Sequence, residues 1–125
     1  MDTHIKEAKR YIANAKELLS EKAGREAHLY TDKKYVRLAG HAAYSGVLVA
    51  LDGVFSDSKR GRKDVKWYRD QLSQKNKKML GYFISVYDTL HLSMGYDGNP
   101  NAKVAKAGFD DAEKLIRWAQ TVSTD

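Results

Sequence analysis

The sequence predicts an all-α fold, specifically an antiparallel bundle of four to five helices. Apolar residues recur three and four positions apart along most of the chain, the spacing that places them on one face of a helix. No segment shows the sustained two-residue alternation that is typical of a strand. With 125 residues, of which 42% are hydrophobic and 30% charged, the chain has the size and composition of one globular domain spanning residues 1–125.

Two helices are predicted in the first half of the chain. The first ends near Gly24, because glycine commonly terminates helices, and a short connection over residues 25–30 follows. Thr31 or Asp32 can cap the second helix, which then extends to about Phe55. The apolar stripe of the first helix consists of Ile5, Ala8, Ile12, Ala15 and Leu19.

The region after the second helix has a less regular pattern. Residues 56–63 are typical of a flexible basic loop around Gly61, and a helix is predicted from Asp64 to about Gln74. A further helix is predicted over residues 77–95, and whether the chain breaks near Asn76 or continues as one helix through residues 64–95 is open. The apolar face of the later helix carries Leu80, Phe83, Ile84, Tyr87, Leu90 and Met94.

The last helix is predicted to follow a turn at residues 95–98, where two glycines flank Tyr96 and Asp97. Asn99 is predicted to be its N-cap and Pro100 its first helical residue, the helical position that proline tolerates best. Its stripe consists of Ala105, Phe109, Ala112, Ile116 and Ala119.

The second helix is apolar on almost all sides. An outer helix of a bundle normally presents a polar face to solvent, and a helix without one is buried or contacts another chain. Two arrangements are therefore open: a homodimer through the helix at residues 35–55, or coverage of the second face by a fifth helix. That second face consists of Leu38, His41, Ser45, Leu48, Val49 and Asp52.

The net charge of +6 originates in residues 59–78, which hold nine basic residues against Asp64 and Asp70. A localised positive surface attracts polyanions over about 8 Å at physiological salt. Arginines beside Gly61 can grip phosphates with paired hydrogen bonds, and an exposed Trp67 among cations suits stacking on an unpaired base. The predicted nucleic-acid-binding residues are Lys59, Arg60, Arg62, Lys63, Lys66, Trp67 and Arg69. The alternative is a solvated basic loop, with Trp67 packed against a neighbouring helix or chain.

The residues give little support for catalysis or metal binding. Cysteine is absent, and no serine lies in a nucleophile elbow. Asp88 and His91 share adjacent positions on one helix, but a metal site in a bundle requires several such ligands from facing helices. We therefore expect His91 to be a core histidine that is hydrogen-bonded to a tyrosine or an aspartate, and we predict no metal site, no cofactor and no catalytic residue.

The segment YVRLAGHAAY, Tyr35 to Tyr44, continuing to Leu51, resembles the aromatic- and alanine-rich core helix of HEPN-type helical bundles. The turn at residues 96–98 and the helix at residues 108–118 are similar to the same group. This resemblance implies a small, often dimeric all-α domain, and many HEPN domains act as RNases or as toxin and antitoxin partners. Active members share an arginine followed, after four to six residues, by a histidine. Only three residues separate Arg37 from His41, so the resemblance carries no catalytic role to this chain.

We interpret the chain as a non-enzymatic helical-bundle module for binding or interaction, homodimeric through residues 35–55. The alternatives are an RNA-binding protein that uses residues 59–78, and a divergent HEPN-like RNase with His41 or His91 as its general base. No signal peptide or membrane-spanning segment is predicted, because the longest uncharged stretch in the first half, residues 38–51, is too short to cross a bilayer. Together with the absence of cysteine, this predicts a cytoplasmic location.

Overall fold

The computed structural model describes residues 3–55 and 63–123, and helices account for most of them. The helices are α1 (Thr3–Glu17), α2 (Lys33–Val54), α3 (Val65–Lys75), α4 (Lys77–Val86) and α5 (Ala102–Val122). Two π-helical segments, π1 (Leu18–Lys22) and π2 (Tyr87–Tyr96), continue α1 and α4. The strands β1 (Arg25–Glu26) and β2 (Leu29–Tyr30) pair antiparallel in a short β-ribbon. The predicted all-α helical bundle is confirmed.

The connection between the first two helices contains the β-ribbon, which the sequence analysis missed because two-residue strands are too short to show alternation. Gly24, with φ +69°, ends the π1 segment as predicted. The ribbon also joins the chain before α5: Leu29 bridges Asn101, and the Tyr30 amide donates to the Pro100 carbonyl at 2.8 Å. Residues distant in sequence are thereby held side by side.

Helix α2 is the centre of the bundle, in contact with α1, π2 and α5. Asp32 caps its start by accepting a hydrogen bond from the Lys34 amide. Its wide apolar surface is largely explained by these neighbours, because nine of its residues are buried. A methyl group at Gly46 would lie 2.9 Å from the Tyr11 Cβ atom and 3.0 Å from the Ala8 carbonyl oxygen, so glycine allows α1 to approach closely.

Helices α3 and α4 are separate, and Asn76 divides them. Its extended backbone, φ −161° and ψ 101°, interrupts the helix. The Asn76 amide donates to the Leu72 carbonyl at the end of α3, while its side chain accepts from the Met79 amide at the start of α4. One residue therefore serves as C-cap and N-cap, which answers the question that periodicity had left open.

Helix α5 begins two residues later than predicted. Asn101, rather than Asn99, is its N-cap and accepts from the Lys103 amide, so Pro100 precedes the helix. The physical reason is the β-ribbon, because pairing with Leu29 and Tyr30 holds residues 100 and 101 in an extended conformation. The predicted stripe of α5 is buried in full.

One continuous core joins all five helices and π2. Its largest fully buried side chains include Phe83, Leu51, Leu72, Leu90 and Met94. Among the described residues, no helix combines the length and the hydropathy that a membrane span requires.

Candidate functional site

The predicted nucleic-acid-binding residues lie only partly in the described structure. Lys59, Arg60 and Arg62 lie outside the described residues. The other predicted residues lie at the start of α3 or just before it: Lys63, Lys66, Trp67 and Arg69.

Lys63 is tied to the bundle by an ion pair. Its Nζ atom lies 3.0 Å from Asp52 Oδ1, and only 15% of its side chain is exposed. The Tyr68 hydroxyl donates to the same carboxylate oxygen at 2.7 Å. Burial, followed by this hydrogen bond to Asp52, raises the pKa of Tyr68. The charge of Lys63 is therefore compensated inside the protein.

Trp67 is half-buried, in contrast to the exposed position expected from the sequence. Its ring meets those of Phe55 and Tyr68 edge-on, with centroids 6.1 Å and 5.1 Å apart. The ammonium of Lys63 lies 5.3 Å from the indole centroid. The indole therefore packs against the core and against Phe55, the residue that follows α2.

Lys66 and Arg69 have different surroundings. Lys66 is exposed and its Nζ atom lies 2.7 Å from Asp70 Oδ2, an interaction that raises the pKa of Lys66. Arg69 is half-buried, and its Nε atom is inaccessible to solvent without a hydrogen-bond partner among the described residues. Two of these three cations, Lys63 and Lys66, are thus paired with carboxylates, and binding of nucleic acid by this segment stays a prediction.

The most unusual group of side chains is a histidine–tyrosine cluster, which we define as His41 and Tyr44 of α2 with Tyr87, His91 and Tyr96 of π2. The His91 ring stacks on Tyr44 with centroids 4.6 Å apart and an interplanar angle of 27°. Tyr87 and Tyr96 enclose the same ring at 5.1 Å and 5.2 Å, and His41 lies 5.8 Å away. His91 is therefore the centre of the cluster.

The surroundings of His91 differ from the hydrogen-bonded core histidine that we expected. Its Nδ1 atom is inaccessible to solvent and has no hydrogen-bond partner in the described part of the chain. Burial, with a smaller effect from His41, lowers the pKa of His91, so the neutral imidazole is favoured. The expectation failed because the aromatic rings pack face to face or edge-on against the imidazole instead of directing hydroxyl groups to it.

The phenol at the base of the cluster is held in its protonated form. Tyr44 is 8% exposed, and burial followed by the neighbouring Tyr87 raises the pKa of Tyr44 to about 12, with Arg69 acting in the opposite direction. A neutral imidazole and a neutral phenol therefore lie in contact. Together they offer hydrogen bonding and aromatic stacking at neutral pH.

Glycines bring the two halves of the cluster together. A methyl group at Gly40 would lie 2.5 Å from the Leu90 carbonyl oxygen and 2.8 Å from the Gly95 nitrogen, both backbone atoms. A methyl group at Gly95 would lie 2.8 Å from His41 Cε1. Helix α2 and π2 thus cross with almost no side-chain volume between them, and His41 covers Gly95.

Helical periodicity in the sequence did not indicate that His41 and His91 lie in one cluster. A helical wheel assumes regular α geometry, whereas residues 87–96 follow the wider π-helix. The available signal was the composition of this segment, since the aromatic side chains of Tyr87, His91 and Tyr96 are closely spaced there, before and within a glycine-containing turn. π-Helical segments are rare in proteins, and those that occur are often found at functional sites.

The cluster reaches the surface through His41 and Tyr96. His41 is exposed, and Tyr96 is 63% exposed. Arg37 donates to the Tyr96 carbonyl at 3.2 Å, and Leu38, one helical turn before His41, is 46% exposed. Within residues 3–55 and 63–123, no group of three or more potential ligands is placed to hold a metal ion. The chemistry available here is therefore that of imidazole, phenol and apolar contact.

Comparisons with known proteins identify the family of the chain. Residues 3–121 match the family model described as a domain of unknown function, DUF5618. A solved protein of unknown function from Dyadobacter fermentans is similar, with 52% sequence identity, coverage of 94% of each chain and a TM-score of 0.90. No curated protein matches the sequence. The resemblance to HEPN-type bundles finds no support in these comparisons and stays a hypothesis. Because the family model covers nearly the whole described chain, the protein belongs to the DUF5618 family.

Proposed function

We propose that this domain is a non-enzymatic interaction module that forms a homodimer through the exposed end of α2 and the adjoining end of π2. The observation that carries the proposal is the position of its exposed apolar side chains. Among the described residues, three large hydrophobic side chains are exposed, and two of them, Leu38 and Tyr96, flank His41. Exposed apolar groups that lie together favour an interface over isolated solvent contact.

The character of this surface also supports a protein interface. Tyrosine is enriched in interfaces because its ring supplies apolar area while its hydroxyl remains solvated. Arg37 holds the backbone of residue 96 through its Nε atom, so Tyr96 is presented from an anchored segment. A two-fold axis near His41 would bring Leu38 of one copy against the same face of the other, as in isologous dimers.

The oligomeric state, measured by sedimentation equilibrium over a range of protein concentrations, tests the proposal. We expect the unaltered protein to be dimeric and Leu38→Lys to be monomeric with an unchanged circular dichroism spectrum. Leu29→Lys is the matched control, because Leu29 is 51% exposed and lies on the β-ribbon rather than on α2 or π2. A monomeric unaltered protein, or equal loss of the dimer in both variants, would contradict the proposal.

RNA binding through residues 59–78 is the second candidate function. It is favoured by Lys75, Lys77 and Lys78 at the α3–α4 junction, which are all exposed. Unlike Lys63 and Lys66, these three lysines have no carboxylate within 4 Å among the described residues. They add to the basic residues that precede α3 in the sequence.

Binding of a short single-stranded RNA at two salt concentrations tests the second candidate. We expect affinity to fall steeply with salt, and Lys77→Gln/Lys78→Gln to reduce the slope of log K against log salt by about 0.7 per lost phosphate contact. Arg60→Ala/Arg62→Ala tests the remainder of the predicted segment, and Lys6→Gln/Lys9→Gln on α1 is the control. Binding that does not depend on salt would exclude this function.

A HEPN-like ribonuclease is the third candidate, and the neighbouring imidazoles of His41 and His91 favour it. A neutral imidazole can accept the proton of an attacking hydroxyl, and a second imidazole can donate one. The same RNA samples provide the test, because metal-independent cleavage should disappear in His41→Ala or His91→Ala. Intact RNA after prolonged incubation with the unaltered protein would rule this activity out.

A further inference from the structure

We propose that a second site, the groove between π1, the β-ribbon and the first turns of α5, binds a small organic anion that carries an apolar group. The groove has a volume of about 660 Å³, within the range of about 300–1,000 Å³ that is typical of small-molecule sites. It shares no lining residue with the histidine–tyrosine cluster or with the proposed dimer surface. The inference is therefore independent of the proposed function.

The floor of the groove is apolar. Leu19 of π1 and Phe109 and Ala105 of α5 line it, and each is more than nine-tenths buried. Tyr30 of the β-ribbon forms one wall with its half-buried ring. A ligand that places an apolar body on this floor removes its own apolar surface from water, which supplies a favourable term of about 25 cal/mol per Å².

The rim of the groove is cationic. Lys16, Arg25, Lys103 and Lys106 line it together with a single carboxylate, Asp110. The Lys106 ammonium pairs with Asp110 at 2.9 Å, and Lys16 pairs with Glu113. These two lysines are therefore largely compensated within the protein.

Arg25 and Lys103 are the cations that remain for a ligand, since neither lies within 4 Å of a carboxylate in the described part of the chain. Arg25 Nε donates to the Ala27 carbonyl at 2.8 Å, and its guanidinium carbon lies 5.8 Å from the Tyr30 ring centroid. These contacts fix the guanidinium at the groove and leave its terminal N–H groups for an anion.

The start of α5 does not supply the binding groups through its backbone. The Ala102 amide already donates to the His28 carbonyl, and the Lys103 amide donates to the Asn101 side chain. The anion is therefore expected to contact side chains at the rim. An apolar floor below two uncompensated cations favours an amphipathic anion over a neutral apolar molecule, which would leave the cations without partners, and over a nucleic acid, which has little aliphatic surface for the floor.

Anilinonaphthalene sulfonate and phenylnaphthylamine form a matched pair of fluorescent probes, because they differ by the sulfonate group alone. With the full chain, we expect saturable binding of the sulfonate probe and clearly weaker binding of the neutral probe. Lys103→Gln should weaken binding of the sulfonate probe by about three- to tenfold, the effect of losing one charge-assisted contact. Ser20→Phe, which places a ring in the groove from π1, should block both probes.

Lys6→Gln is the matched control, because Lys6 is an exposed lysine of α1 outside the groove. Amide chemical shifts in the presence of the sulfonate probe should change at residues 19–25 and 102–106. The proposal is overturned if the two probes bind equally well, if Lys103→Gln binds the sulfonate probe like Lys6→Gln, or if the shift changes lie elsewhere. Lys103→Gln removes no core contact, so it remains informative even if Ser20→Phe fails to fold.

Discussion

At the scale of a single residue, His91 is the most unusual side chain, because it has a buried polar atom without a hydrogen-bond partner among the described residues. A buried polar atom without a partner is uncommon in folded proteins and destabilises the native state by about 1–3 kcal/mol. The His91 Nδ1 atom is such an atom, and Arg69 Nε of α3 is another. Each of these atoms is expected to lower the stability of the native state locally.

The stability of the protein should depend on pH through His91. The folded pKa of His91 lies below its ordinary value of about 6.5, so the unfolded chain binds more protons than the folded chain as the pH falls through that value. The free energy of unfolding should therefore decrease on acidification below about pH 6.5, and the decrease should end once the pH falls below the folded pKa. Urea denaturation at several pH values measures this change in the free energy of unfolding.

His91→Phe keeps an aromatic ring in contact with Tyr44, Tyr87 and Tyr96 and removes the titrating group. In this variant we expect a smaller decrease in the free energy of unfolding between about pH 7 and pH 5. His28→Gln, at the exposed turn of the β-ribbon, should keep the pH dependence of the unaltered protein. Equal slopes for His91→Phe and the unaltered protein would show that His91 is not responsible.

At the scale of secondary structure, two junctions determine how the helices are arranged. Asn76 ends α3 and starts α4, and the crossing of α2 with π2 depends on Gly40 and Gly95. Both junctions involve short-range backbone contacts that larger or differently bonded side chains disrupt.

Asn76→Ala should destabilise the protein by about 1 kcal/mol, because the Met79 amide loses its capping acceptor. Asn76→Asp should retain most of the stability, since aspartate caps helices as well as asparagine does and its charge is favourable at a helix N-terminus. Thermal unfolding of the three proteins provides the measurement. A loss of stability in Asn76→Asp as large as in Asn76→Ala would argue against a capping role.

Gly40→Ala and Gly81→Ala should change stability in opposite directions. Both glycines lie within helices, and replacement by alanine removes a backbone-entropy penalty of about 0.5–1 kcal/mol. A methyl group at Gly81 meets nothing within 4 Å, so this variant should be stabilised. At Gly40 the methyl group meets backbone atoms of π2, and overpacking of about 1–3 kcal/mol should outweigh the gain. Chemical denaturation measures both effects, and a stabilised Gly40→Ala variant would show that the crossing can widen.

Periodicity predicted the elements whose geometry is regular. Ile5, Ala8 and Ile12 are buried on α1, and Ala105 and Phe109 are buried on α5, as their three- and four-residue spacing indicates. Asp32 was one of two predicted caps for α2 and is the one observed. Local sequence suffices in these places because local hydrogen bonds and one apolar stripe determine the structure.

The features that periodicity did not predict depend on contacts between residues that are distant in sequence. Asn99 has the local features of an N-cap, but the pairing of Tyr30 with Pro100 moves the cap to Asn101. Tyr44 and His91 stack only because α2 and π2 cross at Gly40, which no wheel of either element reveals. The histidine–tyrosine cluster is thus a tertiary feature, and it could not be predicted from either segment alone.

The whole molecule is organised around α2, and stability should be distributed accordingly. Helix α2 is surrounded by α1, π2 and α5, whereas α3 contributes two buried residues, Tyr68 and Leu72, and packs mainly on α4. Elements with few buried contacts open at lower free energy than the central ones. Helix α3 is therefore the described helix that we expect to open first.

Native-state hydrogen exchange tests this order of stability. Amides near Val47 in α2 should be protected to the level of global unfolding, and those in α3 should exchange through a smaller opening. Leu72→Ala should accelerate exchange in α3 more than in α2, because it removes one of the two buried anchors of that helix. Identical protection in both helices would indicate a single cooperative unit.

The pairing of Leu29 with Asn101 has a consequence for the rate at which the chain folds. Helical bundles fold rapidly because most of their contacts are local in sequence. This pair joins residues about 70 positions apart, and closing so long a loop is entropically unfavourable until other contacts compensate. The β-ribbon should thus join the start of α5 only after the helices have docked, so this pairing should be among the last contacts to form.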